Sequence, residues 1–183
     1  ADLPYMPLEN FIQSIAEKLT SGCRARQLPN FRLQLEPGRS LVARAGVAVY
    51  RIGSVKHTGA RSYVLVDGGL ADNPRPALYQ ARYTALPVRL PLRPAVNPVW
   101  VAGPYCESGD ILLTDLPMPE LRPGELIAIP TSGAYQLSMS SNYNGATRPA
   151  TIWLKDTHDY LIQSREKPAD LLRRDLPLPS SVQ

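Results

Sequence analysis

This sequence predicts a mainly β chain: an antiparallel β domain of sandwich or barrel-like form, preceded by a short helix–strand–loop segment. Three observations support that class. Apolar residues recur at helical spacing near the start, whereas from Gly46 onward they alternate or run in short pieces. Clusters of Gly, Pro and Asn separate those pieces, as turns between strands require. Proline is abundant, 19 of 183 residues, about twice ordinary usage.

Leu8, Phe11, Ile12, Ile15 and Leu19 mark one helix, closed by Ser21-Gly22. Phe31, Leu33 and Leu35 alternate with Arg32 and Gln34, predicting a short strand that ends in the Glu36-Pro-Gly-Arg39 turn. Ser40 to Ala45 suits a brief helix. Strands are expected from Val47 to Val55, Tyr63 to Val66, Leu126 to Ile129, Ala134 to Met139, Thr151 to Leu154 and Asp159 to Ile162. Pro87, Pro91, Pro94 and Pro98 confine the intervening stretch to an edge strand or extended loop, because proline cannot donate to a ladder. A strand then begins at Val99. Pro168 to Arg174 reads as a short helix and Leu176 to Gln183 as a loose tail. The change of pattern sets a boundary between residues 1–45 and 46–183. The first part is too small to be a domain, so a preceding α/β portion is expected.

Bulk composition excludes several classes. No apolar run is long enough to span a bilayer, and no export signal is expected. Two cysteines, Cys23 and Cys106, make no disulfide framework, and the two histidines form no zinc-spaced cluster. A net charge of +4 and a pI near 9.2 invite a nucleic-acid partner. The charges are scattered, however, and aromatics are only 7%, so no basic stacking platform forms.

Five segments bear chemistry. Ala102-Gly-Pro-Tyr-Cys-Glu-Ser-Gly-Asp-Ile111 places Cys106 and Glu107 on a tight loop between apolar runs, where a thiol is displayed rather than buried. The plainer alternative is a small apolar residue at a strand end. Glu36 and Arg39 sit after a predicted strand, where α/β folds place their sites; the alternative is a turn with a solvated ion pair. Arg75 and Tyr79 stand four apart, on one face of any helical turn formed there. They could grip a carboxylate, or be two surface residues of a loop. Ser132-Gly-Ala-Tyr135 and Asn142-Tyr143-Asn144-Gly145 present phenols on turns, which could reach a ligand or merely pack.

In this order the segments resemble the carboxyl-terminal part of the fold-type III pyridoxal-phosphate decarboxylases. The motifs concerned are Glu36-Pro-Gly-Arg39, Val66-Asp67-Gly68-Gly69, Arg75-Pro-Ala-Leu-Tyr79, Cys106-Glu-Ser-Gly-Asp110 and Gly133-Ala-Tyr135 with Asn142-Tyr-Asn144. The residues after Cys106 are most similar to the branch that decarboxylates diaminopimelate to lysine. The resemblance implies that residues 1–45 end a (β/α)8 barrel whose remainder supplies the cofactor-bonding lysine. It implies cofactor contacts from Glu36 (ring nitrogen), Gly38 and Arg39 (phosphate) and Tyr135. Arg39, Arg75, Tyr79 and Glu107 would bind the substrate, a small amino acid, and Cys106 would return a proton. It further implies a cytoplasmic homodimer (plastid in a plant) with active sites shared across the interface, and a chain inactive without the barrel. A paralogue acting on another basic amino acid and a non-catalytic association domain stay open as alternatives.

Overall fold

A computed structural model describes residues 6–29, 32–59, 61–89, 93–94 and 98–180. The chain divides into two compact units, residues 1–38 and 39–183.

The first unit holds α1, Leu8–Ala25, with Glu9 in its first turn and Arg24 in its last, each sign suited to the helix dipole. Leu8, Phe11 and Ile12 of its apolar stripe remain exposed, while Cys23 is buried. The expected strand over 31–35 is not formed. Phe31 lies outside the described residues, and 32–38 are irregular. Alternation makes a strand only where a neighbour completes the ladder, and residues 32–35 have no such neighbour among the described residues.

The second unit opens with α2, Arg39–Val42, and a 3₁₀ turn, Ala43–Ala45. Eight strands follow among the described residues. They are β1 Val47–Thr58, β2 Arg61–Val66, β3 Leu86–Pro87, β4 Val99–Ala102, β5 Ile111–Leu116, β6 Leu126–Pro130, β7 Thr151–Lys155 and β8 His158–Gln163. Among the described residues there are also two short α-helices, α3 Arg75–Tyr79 and α4 Pro168–Leu171, and 3₁₀ turns at Leu137–Met139 and Tyr143–Gly145. Six strands form one curled sheet in the order β3-β6-β1-β2-β4-β5. The long β1 pairs antiparallel with β6 on one side (Tyr50 opposite Ile127) and with β2 on the other (Ile52 opposite Val66). The predicted β class holds, with one parallel pair inside it, β2–β4, with Val64 opposite Val101. β3 lies at the sheet edge, which is where Pro87 can be tolerated.

Strand periodicity puts the core on one face of this sheet. Tyr50, Ile52, Val64, Val66, Val99, Val101, Ile127 and Ile129 alternate along four strands and are all buried. Met118 and Leu121 join them from the β5–β6 connection. Each such aliphatic side chain contributes roughly 1.5–3 kcal/mol by leaving water. β7 and β8 form a separate hairpin whose Ile152, Trp153, Leu161 and Ile162 are exposed. The expected strand from Ala134 to Met139 is absent. Tyr135 takes a left-handed backbone, φ 61°, which breaks an extended run, and Leu137–Met139 is a 3₁₀ turn.

Candidate functional site

Three loops at the strand ends carry the chemistry, and buried hydrogen bonds hold them. β4 and β5 are joined by the Gly103–Asp110 loop, closed by Gly103 N–H donating to the Asp110 carbonyl at 2.9 Å. The Asp110 side chain is buried and works outward from there. Its Oδ1 accepts from Leu70 N–H at 2.7 Å and its Oδ2 from Tyr105 N–H at 2.9 Å. Gly69 and Gly103 line this carboxylate so closely that a Cβ on either would stand 2.2 Å from its oxygens. The cysteine loop is thereby tied to the turn after β2. Asp110→Asn removes the negative charge from these two bonds. It is expected to destabilise the protein by about 2 kcal/mol, since bonds to charged groups are worth about 1.5–3 kcal/mol each. Denaturant unfolding measures the loss, and a change below about 0.5 kcal/mol would remove Asp110 as the brace.

That turn has a second anchor. Asp72 accepts from Gly69 N–H at 2.7 Å and from the Tyr50 hydroxyl. Burial raises the Asp72 carboxyl above the usual carboxylate range. Burial, followed by the charge of Asp72, pushes the Tyr50 phenol well up too. α3 leaves this turn through Pro74, and a left-handed Gln80 (φ 52°) ends it after five residues. Arg75 and Tyr79 therefore do share one helical turn. The Arg75 guanidinium lies 5.6 Å from the Tyr79 ring centroid and 5.1 Å from that of Tyr135.

Arg39, Arg75 and Tyr79 line one open depression of about 440 Å³, with Arg82, Tyr83, Thr84, Thr131 and Ala134. Among the described residues, three guanidiniums border it and no carboxylate does. Such a surface favours anions, and the planar guanidinium fork suits phosphate and carboxylate oxygens. Thr131 and Tyr135 flank it in left-handed conformations, φ 60° and 61°. Non-glycine residues held there carry about 1–3 kcal/mol of strain, a feature that concentrates at functional sites.

Cys106 and Glu107 are exposed at the tip of the braced loop. The loop packs beside α3: a Cβ on Gly109 would meet Ala77 at 3.8 Å, ordinary contact. Glu107 Oε1 accepts from Gly109 N–H and the Ser108 hydroxyl, both at 3.4 Å. Its Oε2 accepts from the Tyr143 hydroxyl at 3.2 Å. The Gly109 N–H, then the Tyr143 phenol, hold the Glu107 carboxyl below the usual range. Tyr105 stacks edge-on against Tyr143 with centroids 6.0 Å apart. Burial, with Asp72 and Asp110 nearby, pushes its phenol up to about 12.

The structure thus brings together Arg39, Arg75, Tyr79 and Tyr135, and separately Cys106 and Glu107. Glu36 and Gly38 end the first unit and are exposed. Sequence reasoning assigned no role to Asp72 and read Asp110 only as a turn residue; it offered the Tyr143 phenol as a possible ligand contact, not as a partner of Glu107. Asp72 and Asp110 each border a Gly-rich turn, the one signal that could have marked them as loop braces. It also passed over Arg148 and Glu166, and gave Asn142 only as part of a motif. Arg148 donates to Asn142 Oδ1 and Glu166 Oε1, each at 2.8 Å, and Asn142 donates to Glu166 Oε2 at 2.6 Å. This network fixes the turn that carries Tyr143. Among the described residues no cluster of His, Cys, Asp and Glu could hold a metal ion, and no helix is long and apolar enough to cross a membrane.

A mainly β unit with an anion-seeking depression beside a displayed Cys-Glu loop defines a class. Residues 18–133 match the family described as "Pyridoxal-dependent decarboxylase, C-terminal sheet domain". The chain belongs to that family. Among its members it is similar to diaminopimelate decarboxylases: 44% identical over 181 residues to that of Actinosynnema pretiosum subsp. auranticum and 39% over 173 to that of Bacillus subtilis (strain 168). These alignments cover 95% and 94% of this chain but only 41% and 39% of the relatives, so the chain spans about 40% of their length. The crystal structure of diaminopimelate decarboxylase from M. jannaschii in co-complex with L-lysine superposes with a TM-score of 0.87 at 30% identity, over all of this chain and 41% of that one.

Proposed function

We propose that this chain is the carboxyl-terminal part of a pyridoxal-phosphate-dependent decarboxylase that converts meso-2,6-diaminopimelate to L-lysine and CO2. The observation that carries this function is the depression bordered by Arg39, Arg75 and Arg82 with no carboxylate among its lining, adjoined at Tyr135. The donor set fits the cofactor, whose phosphate asks for guanidinium and backbone donors, and it leaves a guanidinium for a substrate carboxylate. Residues 1–45 are then the end of the barrel. The rest of that barrel, which the relatives' additional length accommodates, carries the cofactor-bonding lysine.

In the complete enzyme each residue has a distinct task. Glu36 holds the pyridine nitrogen protonated, and Gly38 and Arg39 take the phosphate, with Arg39 also near the substrate carboxylate. Tyr135 contacts the cofactor. Pyridoxal phosphate supplies the electron sink for the charge left when CO2 departs. Arg75 and Tyr79 bind the substrate carboxylate that is not lost. Glu107 takes the distal ammonium, and Cys106 Sγ holds the proton delivered to the reacting carbon. The complete protein is a cytoplasmic (in a plant, plastid) homodimer in which Cys106 and Glu107 serve the partner's site. The exposed apolar faces of α1 and of the β7–β8 hairpin suit burial in that larger assembly.

The test is CO2 release by the complete protein, loaded with pyridoxal phosphate, from diaminopimelate, ornithine, lysine and arginine. Diaminopimelate is expected to be preferred, and this chain alone to release none. Preference for another amino acid would overturn the assignment, and no decarboxylation of any would leave an association domain.

A further inference from the structure

Glu107 is poorly placed to orient itself. Two of its three partners, the Ser108 hydroxyl and Gly109 N–H, belong to its own loop and lie at 3.4 Å, the long limit of a hydrogen bond. The third comes from 36 residues away, the Tyr143 hydroxyl on Oε2 at 3.2 Å. We propose that Tyr143 is a positioning residue for Glu107: its hydroxyl fixes the carboxylate that receives the distal ammonium, and so sets the preference for a substrate with a second cationic end. This rests on the decarboxylase function proposed above.

The surroundings of Tyr143 suit that task. Its ring stands edge-on against Tyr105, which the Asp110 carboxylate holds through the backbone. The preceding residue, Asn142, is clamped by Arg148, Glu166 and the Ala146 carbonyl. Left-handed Asn144 and Gly145 close the turn directly behind it. Two independently braced loops therefore meet through this one phenol, at the Glu107 carboxylate and at the Tyr105 ring. Both Tyr143 and Glu107 are exposed, so a ligand can reach the pair. An exposed hydrogen bond contributes little to folding, which leaves orientation as its effect. Tyr143 is the titratable group that bonds Glu107; Asp110 acts on Tyr143 from further away, and Tyr105 meets it through its ring.

Tyr143→Phe in the complete enzyme tests the idea, because it keeps the ring against Tyr105 and deletes only the donor. The Michaelis constant for diaminopimelate is expected to rise about tenfold, as loss of one charge-assisted bond implies, with kcat within about twofold. In ¹³C-labelled protein the Glu107 carboxyl should titrate at higher pH than in the wild type, because the proton-donating phenol that favoured its anion is gone. On a Glu107→Gln background the Tyr143→Phe change should add nothing to KM. An unchanged KM, an unmoved Glu107 titration, additive effects in the double variant or loss of fold in Tyr143→Phe would each overturn the proposal. The titration needs no turnover, so it still tests the Tyr143–Glu107 link if diaminopimelate proves not to be the substrate.

Discussion

Arg75→Ala in the complete enzyme is expected to lower kcat/KM for diaminopimelate by about 10²-fold while the fold survives. The guanidinium sits between two exposed phenols, Tyr79 and Tyr135, and borders a depression with no carboxylate to neutralise it. It is free to accept an anion and is already aimed by its ring contacts. Removing one partner of a charge pair that forms on binding costs about 2–5 kcal/mol, and each 1.4 kcal/mol is tenfold. Folding loses only the two cation–π contacts, about 0.5–1 kcal/mol each at exposed sites. Arg75→Lys should fall between, since an ammonium keeps the charge but not the two-pronged geometry. Ornithine has no second carboxylate, so any residual turnover of ornithine should be indifferent to the change. Steady-state kinetics on the two substrates decides it. An equal loss on both, or none on either, would remove Arg75 from carboxylate recognition.

The local chemistry of this site was more legible in the sequence than its support. The four-residue spacing put Arg75 and Tyr79 on one face of any helical turn formed there, and one helical turn does form. Val99 opens β4 immediately after Pro98, and the cysteine loop stands exposed between β4 and β5, as its Gly, Pro and Asp content required. Those inferences are short-range, and the physics behind them is local. The parallel pairing of β2 with β4 joins residues some 37 positions apart (Ser62 with Val99), and nothing in either segment specifies a partner. Asp110 looked like a turn residue, and only the meeting of two loops makes its carboxylate a brace. Tyr143 and Glu107 lie 36 residues apart, and no spacing rule reaches that far. The failed strand at 134–139 has a local cause that periodicity does not weigh. Ala, Tyr, Leu and Met alternate well enough there, but left-handed Tyr135 (φ 61°) turns the backbone just after the close approach of Gly133 to the backbone of Val42 and Gly46.

That close approach carries the second large effect. Gly133→Ala is expected to destabilise the protein by about 3 kcal/mol and to cost about 10²-fold in turnover. A Cβ on Gly133 would stand 2.0 Å from the Val42 carbonyl oxygen and 2.9 Å from Gly46 N, and a Cβ on Gly46 would meet Gly133 Cα at 2.4 Å. All of these neighbours are backbone, so no side chain can swing aside. The contact is welded by Gly133 N–H donating to the Ala43 carbonyl and Ser132 N–H to the Gly46 carbonyl, each at 2.9 Å. An added methyl must push α2 away from the turn, breaking both bonds, and overpacking alone costs about 1–3 kcal/mol. The displacement also reaches the site, because α2 begins with Arg39 and the turn ends with Tyr135. A shift of about 1 Å in a positioning group is enough for a 10²-fold loss. Gly53→Ala in β1 is the control. Its Cβ would meet only the Leu65 carbonyl oxygen, at an ordinary 3.7 Å, so stability should stay within about 1 kcal/mol of the wild type. If thermal unfolding and turnover of the two variants are alike, the Gly46–Gly133 contact does not register Arg39 against Tyr135.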